Sequence, residues 1–343
     1  MSVAALPGNV RFRAFQMGVQ SVFGTAVPAT RRMPWRFSPT VDPHWTSPDV
    51  DTGTLDPGIA PYRMATDITG DLTGPLAYDD AAILYAMLLK GGVSPTGPTD
   101  GVYAWDFAAA STSQDPFEVV TGEWGDDTLD EFQYRDGVLD SLQLSFPQDL
   151  GPVQIQAGTR FGHVAYPSAL TGSLDVETNP DWVYAADTSL YIDDAAGSIG
   201  ITPLVDSMHD ATIQVSSNLD VKRFANGSNA NFAVAGYARG ARTGQVTITF
   251  AKSTQALAEV AKWLSADPVN RYLAFDSNSR KSITGSSSHR GHRIRLAGHW
   301  FTRSEQAVGS NSAAQLVLNT FYDPALAYGF SVRVRNTMAT LIG

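Results

Sequence analysis

Apolar and polar residues alternate one for one at several places along this chain, and a period of two fits a strand with one buried face. Leu142, Leu144 and Phe146 point one way, with Ser141, Gln143 and Ser145 opposite. Val246, Ile248 and Phe250 alternate with Gln245, Thr247 and Thr249. Tyr328, Phe330, Val332 and Val334 alternate with Gly329, Ser331, Arg333 and Arg335. The outward positions are mostly Ser, Thr and Gln, with few Lys or Glu. A sheet with one apolar and one neutral polar face suits a barrel wall or a surface between subunits.

Only two segments show a helical pattern, so the chain reads as mainly β with short α-helices. The first helix follows Asp79-Asp80, either of which can cap it, and Ile83, Leu84, Met87 and Leu88 form one apolar stripe before Gly91-Gly92. The second follows Ser253, with Leu257, Val260, Ala261 and Leu264 at i, i+3, i+4 and i+7. Both stripes are expected to lie on a sheet. Strand candidates precede each helix (64–76 and 243–251), and about four follow it (102–107, 117–124, 138–146 and 153–163; 271–277, 292–303, 313–323 and 328–336). The pattern predicts two tandem copies of one β-rich module, at 61–167 and 209–343, joined by a loop-rich stretch at 168–208. The alternative is one domain with an insertion.

Residues 1–60 read as an N-terminal arm and extended loop. Six prolines between 28 and 57 argue against compact regular structure, while Phe23, Trp35, Phe37 and Trp45 are too aromatic for a disordered linker. An arm docked on a neighbouring subunit explains both features, because aromatics dominate buried interface contacts. A loop packed on its own domain is the competing reading.

Composition narrows the function. Charged residues are 17% of the 343, below the ~25% of ordinary globular chains, as expected of a surface that other subunits cover. The net charge of −10 argues against wrapping nucleic acid and suits a channel that DNA slides through without sticking. With no cysteine, disulfides, thiolate metal sites and cysteine nucleophiles are excluded. Arg11 and Arg13 precede any apolar run of signal length, and the longest apolar run, Ala81–Leu89, is far short of the ~20 residues of a membrane span. The expectation is synthesis in a cytoplasm and no membrane partner.

No catalytic residue, cofactor or metal site is expected. His289, His292 and His299 lie in a Ser-rich stretch that reads as a solvated turn, without a helical His-Glu-x-x-His pattern. Neither a Gly-x-Ser-x-Gly elbow nor a Gly-Lys phosphate loop is present. Asp126, Asp127, Asp130 and Glu131 match no calcium loop and read as a solvated or lumen-facing acidic loop. Arg293/Arg295 and Arg333/Arg335, like Arg11/Arg13, are spaced by two and so share a strand face. They are candidates for ion pairs with acidic loops of neighbouring subunits, Arg being suited to bidentate carboxylate contacts.

The order of these pieces resembles the tail tube proteins of long-tailed, siphovirus-like bacteriophages. Gly18–Thr30 resembles the family's opening, and Thr69–Gly74 with Asp79-Asp80 and the helix to Gly92 resembles its strand-then-helix unit. Asp136–Phe146 is similar to its mid-chain strand; Asp210–Leu219 with Gly244–Phe250 is similar to the second unit. The resemblance implies a β-sandwich or barrel with a flanking helix, in a virion protein assembled in the host cytoplasm. It implies stacked homo-oligomeric rings that conduct DNA, and tape measure and terminator proteins as partners. The ring implied is a hexamer, or, with two modules per chain, a pseudo-sixfold ring of three subunits. Other virion β-proteins (decoration or tail-terminator) and a carbohydrate-active β-sandwich enzyme are the alternatives.

Overall fold

The computed structural model describes residues 13–47, 61–108, 115–125, 130–175, 177–205, 207–224 and 234–342. In chain order the first strands are β1 (Ala14–Val19), β2 (Arg31–Arg32), β3 (Arg36–Thr46) and β4 (Tyr62–Pro75), followed by helix α1 (Ala81–Leu88). Next come β5 (Thr96–Thr99), β6 (Val102–Ala108), β7 (Val120–Gly125), β8 (Phe132–Phe146), β9 (Gln154–Phe161) and β10 (His163–Ala165). Then β11 (Thr188–Asp193), β12 (Met208–Ser216), β13 (Leu219–Lys222), β14 (Gly236–Arg239) and β15 (Thr243–Ala251) lead to helix α2 (Thr254–Trp263). The last strands are β16 (Arg271–Ser282), β17 (His289–Val308), β18 (Asn311–Thr320) and β19 (Phe330–Asn336). The chain is mainly β, as its alternation predicts.

Eight strands lie side by side in the order β3-β4-β9-β8-β12-β15-β18-β17, each pair antiparallel. The first four and the last four of this inner sheet are connected alike. In each quartet two strands lead to a helix (β4 to α1, β15 to α2), and the chain returns as a long hairpin, β8-β9 or β17-β18. The quartets meet where Leu142, Leu144 and Phe146 of β8 face Val215, Ile213 and Ala211 of β12.

The long strands β8 and β17 each leave the inner sheet part-way and enter an outer one. The first outer sheet has the order β1-β7-β8-β10; the second has β11-β16-β17-β19, with β6 beyond. The crossings share their chemistry. A Cβ on Gly137 would lie 2.4 Å from the Phe161 ring, and one on Gly298 would lie 2.1 Å from Leu318, so only glycine fits either place. A one-residue bulge follows at the same distance, at Asp140 in β8 and Phe301 in β17, and turns the strand into the new sheet.

The helices depart from the expected one-sided docking. α1 is apolar all round and every residue in it is buried. It lies between β8 and the second outer sheet, where Tyr85 Oη meets His292 Nε2 at 2.7 Å. Asp80 sits at its N-cap but makes no capping bond; its carboxylate pairs with Arg31 at 2.6 Å, and Asp79 pairs with Arg290 at 2.9 Å. α2 is capped by Ser253 Oγ, which accepts from Ala256 N–H at 3.1 Å. Its predicted stripe faces the sheet only in part: Val260 packs against the core. Leu257 and Leu264 are 54% and 68% exposed, and the buried side carries Ala256 and Glu259. The cause is Arg271: this buried guanidinium takes both Glu259 oxygens at 2.8 Å, and Trp300 Nε1 donates to Glu259 at 2.9 Å. Turning Leu257 inward would take Glu259 from this buried cation and leave it only the exposed Asp194 carboxylate.

Residues 36–46 form a strand where the prolines predict none. Among the described residues β3 pairs only with β4, and an edge strand tolerates Pro39 and Pro43 where the missing donor points away from its neighbour. The stretch predicted to be loop-rich at 168–208 holds β11, paired with β16. The histidines lie in β17 rather than in a solvated turn, and His292 is fully buried against Tyr85.

Candidate functional site

One side of the inner sheet packs on the core through Leu72, Leu142, Ile155, Ile213, Ile248 and Leu316, all buried. The pleat turns the intervening residues to the other side. These are Ser38 and Thr40 on β3, Asp71 and Thr73 on β4, Gln154 and Gln156 on β9, and Ser141, Gln143 and Ser145 on β8. The series continues with Thr212 and Gln214 on β12, Gln245 and Thr247 on β15, Gln315 and Asn319 on β18, and Ser304 and Gln306 on β17. This face is hollowed by an open trough of about 660 Å³, lined among others by Asp71, Gln143, Gln156, Gln214, Gln245 and Asn319.

The side chains of the trough are tied to one another across strands. Gln214 Nε2 donates to Gln143 Oε1 at 2.6 Å, Gln245 Nε2 to Asn319 Oδ1 at 3.2 Å, and Gln306 Nε2 to Gln315 Oε1 at 3.3 Å. Charge in the trough is limited to Asp71 and Arg242, and near it Arg160 Nε meets Asp140 at 3.2 Å. Amides and hydroxyls in mutual contact offer hydrogen bonds without a fixed charge. The face can therefore lie against a polyanion without gripping it, since a grip requires phosphate neutralisation by Lys or Arg.

The residues singled out from the sequence are spread across the molecule. Trp35 and Phe37 belong to the chain's own core: Trp35 Nε1 donates to Pro75 O at 3.1 Å, and Phe37 stacks on Phe15 at 4.5 Å. Phe23 is half-exposed and meets Tyr237 edge-on; Trp45 is 60% exposed on β3. The arginines come together on the second outer sheet, with Arg293 directly opposite Arg333. Arg293 pairs with Asp276 at 2.9 Å, Arg333 with Asp106 at 2.6 and 2.7 Å, and Arg335 donates to Asn278 at 2.6 Å. Arg295 lines the same small hollow between Arg293 and Arg333. Asp130 and Glu131 lead into β8, while Asp126, Asp127 and Arg11 lie outside the described residues.

Among the described residues no group of three or more His, Asp or Glu side chains could hold a metal ion. No described helix is long and apolar enough to cross a membrane. The trough residues were not named as a site from the sequence, although their signal was present: Gln143, Gln245 and the hydroxyls between them are the outward half of the alternation.

Residues 13–286 match the family model described as phage tail tube protein. No individually curated protein matches the chain. The match spans most of the sequence, and the chain belongs to the phage tail tube protein family, whose members are structural proteins of the phage tail.

Proposed function

We propose that this tail tube family member assembles with copies of itself into stacked rings that form the tube of a long, non-contractile phage tail, with the concave inner-sheet face lining the channel for DNA. The trough carries this reading. Duplex DNA must move along a tube wall without binding it, and a wall mostly of Gln, Ser, Thr and Asn, with one Arg242 against one Asp71, neither attracts phosphate as a basic surface does nor repels it strongly. The protein's work is then mechanical, with no catalytic residue or cofactor, and its other partners are the tape measure and terminator proteins of the same tail.

The matching connections of the two quartets support two tandem tube-like modules. The pairing of β3 with β4 and of β1 with β7 supports a first module that reaches back before residue 61. Three such chains supply six quartets, and the ring is a trimer with pseudo-sixfold symmetry. Each inner sheet ends in β3 on one side and in the second half of β17 on the other. Carrying the β8–β12 register over to these ends sets Ser38 opposite Gln306, Thr40 opposite Ser304 and Asp42 opposite Thr302 of the next copy. Closing the ring covers edges that would otherwise invite uncontrolled pairing.

Electron microscopy of the purified protein at rising concentration tests the reading. Hollow filaments of uniform bore, with threefold density modulated toward sixfold in end views, are expected. Single rings that never stack point instead to a terminator or decoration role. A monomer at every concentration sinks the proposal.

A further inference from the structure

α2 and its C-cap present Leu257 and Leu264 to solvent, and Phe301 in the β17 bulge is 60% exposed, its carbonyl accepting from Trp263 Nε1 at 3.3 Å. The matching helix α1 has no such face, because the second outer sheet of the same chain covers it. His292, Ile294 and Val334 on β17 and β19 are buried there, with Val332 directly opposite Ile294. Among the described residues, the equivalent surface of the first outer sheet is only partly covered. Arg271 faces Gly298 in one sheet and Val120 faces Gly137 in the other; four residues further along β16 and β7, Phe275 faces Ile294 and Trp124 faces Phe132. Phe132 thus stands where Ile294 does. Tyr166, stacked on Phe132 at 4.6 Å, stands at the place of Val332, yet it is 58% exposed.

From these two exposed apolar surfaces we infer that α2 is a docking site for a second copy of this chain, which covers Leu257 and Leu264 with the Phe132–Tyr166 patch of its first outer sheet. The inference rests on the ring reading. The contact repeats between copies what α1 and the second outer sheet make within one copy: the helix of one quartet is covered by the outer sheet of the next. It also supplies what the strand edge lacks. Pro39 and Pro43 remove two donors from β3, so a ladder between β3 and β17 is interrupted, and side-chain burial at α2 adds to its hold.

The chain has no cysteine, so introduced thiols report alone. One protein carries Leu264→Cys and Tyr166→Cys; another carries Thr40→Cys and Ser304→Cys across the proposed strand edge. Each assembled sample is treated with a short bis-maleimide and run denatured beside its single-cysteine parents. The inference expects dimers and trimers from both double variants and monomer from the single ones. Leu257→Ser with Leu264→Ser, both at exposed positions, should leave a folded monomer and raise the concentration needed for assembly about tenfold or more. Cross-linking at the strand edge without cross-linking at α2 overturns this inference and leaves the ring standing. Absence of both cross-links overturns the ring itself and this inference with it.

Discussion

α1 and α2 occupy the same place in two similarly connected quartets, yet among the described residues one is the most buried element and the other among the least. α1 reads AAILYAML and is enclosed on every side; α2 reads TQALAEVAKW and buries only Ala256 and Glu259. The means of attachment differ as well. α1 is held by apolar contact and one tyrosine–histidine hydrogen bond, α2 by a buried carboxylate that clamps Arg271 and Trp300. Connection fixes where a helix lies along a sheet, but what lies above the helix fixes how much of it is covered. For α1 that cover is in the same chain.

The contrast can be broken most severely under α2. Replacing Glu259 with Ala leaves Trp300 Nε1 facing a buried gap and the buried Arg271 with only the exposed Asp194 carboxylate, and should cost about 3–5 kcal/mol in denaturant unfolding of the protomer. Leu84→Ala tests the apolar attachment of α1 and should cost about 2–5 kcal/mol by the same measurement. A value below ~1 kcal/mol would mean that α1 is not enclosed.

A pH dependence sharpens the same comparison, because α1 shares its site with an ionisable group and α2's exposed face does not. Burial, opposed by the Asp276 carboxylate, pulls the His292 imidazole down from 6.5 to about 4. Above pH 6.5 the folded and unfolded chains both hold it neutral, and it has no effect on stability. Below 6.5 the unfolded chain takes up the proton first, so this group lowers stability progressively to about pH 4, by on the order of 3 kcal/mol in full. Asp80, which burial pushes up to about 6 against the pull of Arg31, acts in the opposite sense below that pH. The ring-proton shift of His292 separates the two: it should stay at its neutral position down to pH 5, and a midpoint near 6.5 would place the imidazole in water.

Tyr85→Phe, which removes the partner of His292 Nε2 and little else, should cost about 1–3 kcal/mol. The smallest effect belongs to the outer side of α2. Leu257→Ala should change protomer stability by less than about 0.5 kcal/mol, and a larger loss in the monomer would show that the residue is already covered within its own chain.

Much of this was open to reading in the sequence. The strands carrying Leu142–Phe146, Val246–Phe250 and Val332–Val334 have their faces written in adjacent residues, and Ser253 marks the start of α2. The glutamines of the trough were legible as outward residues but not as one surface. That surface exists only once β9, β8, β12 and β15 are side by side. Which side of α2 is buried could not be read locally: Leu257 and Leu264 form the better apolar stripe, and Glu259 outweighs them only because Arg271 is held beneath it. His292 looked like part of a polar turn because the tyrosine that buries it lies on a distant helix.

The sequence by itself determined that the chain is mainly β, where its two helices fall, and that its strands carry one apolar and one neutral polar face. These properties repeat over two to four residues and need no distant partner. The tertiary structure alone decided the strand order, the concavity of the polar face and the unequal burial of two like-placed helices. Each of these depends on which far-off segments pair, such as β8 with β12, and on which sheet comes to rest on which helix.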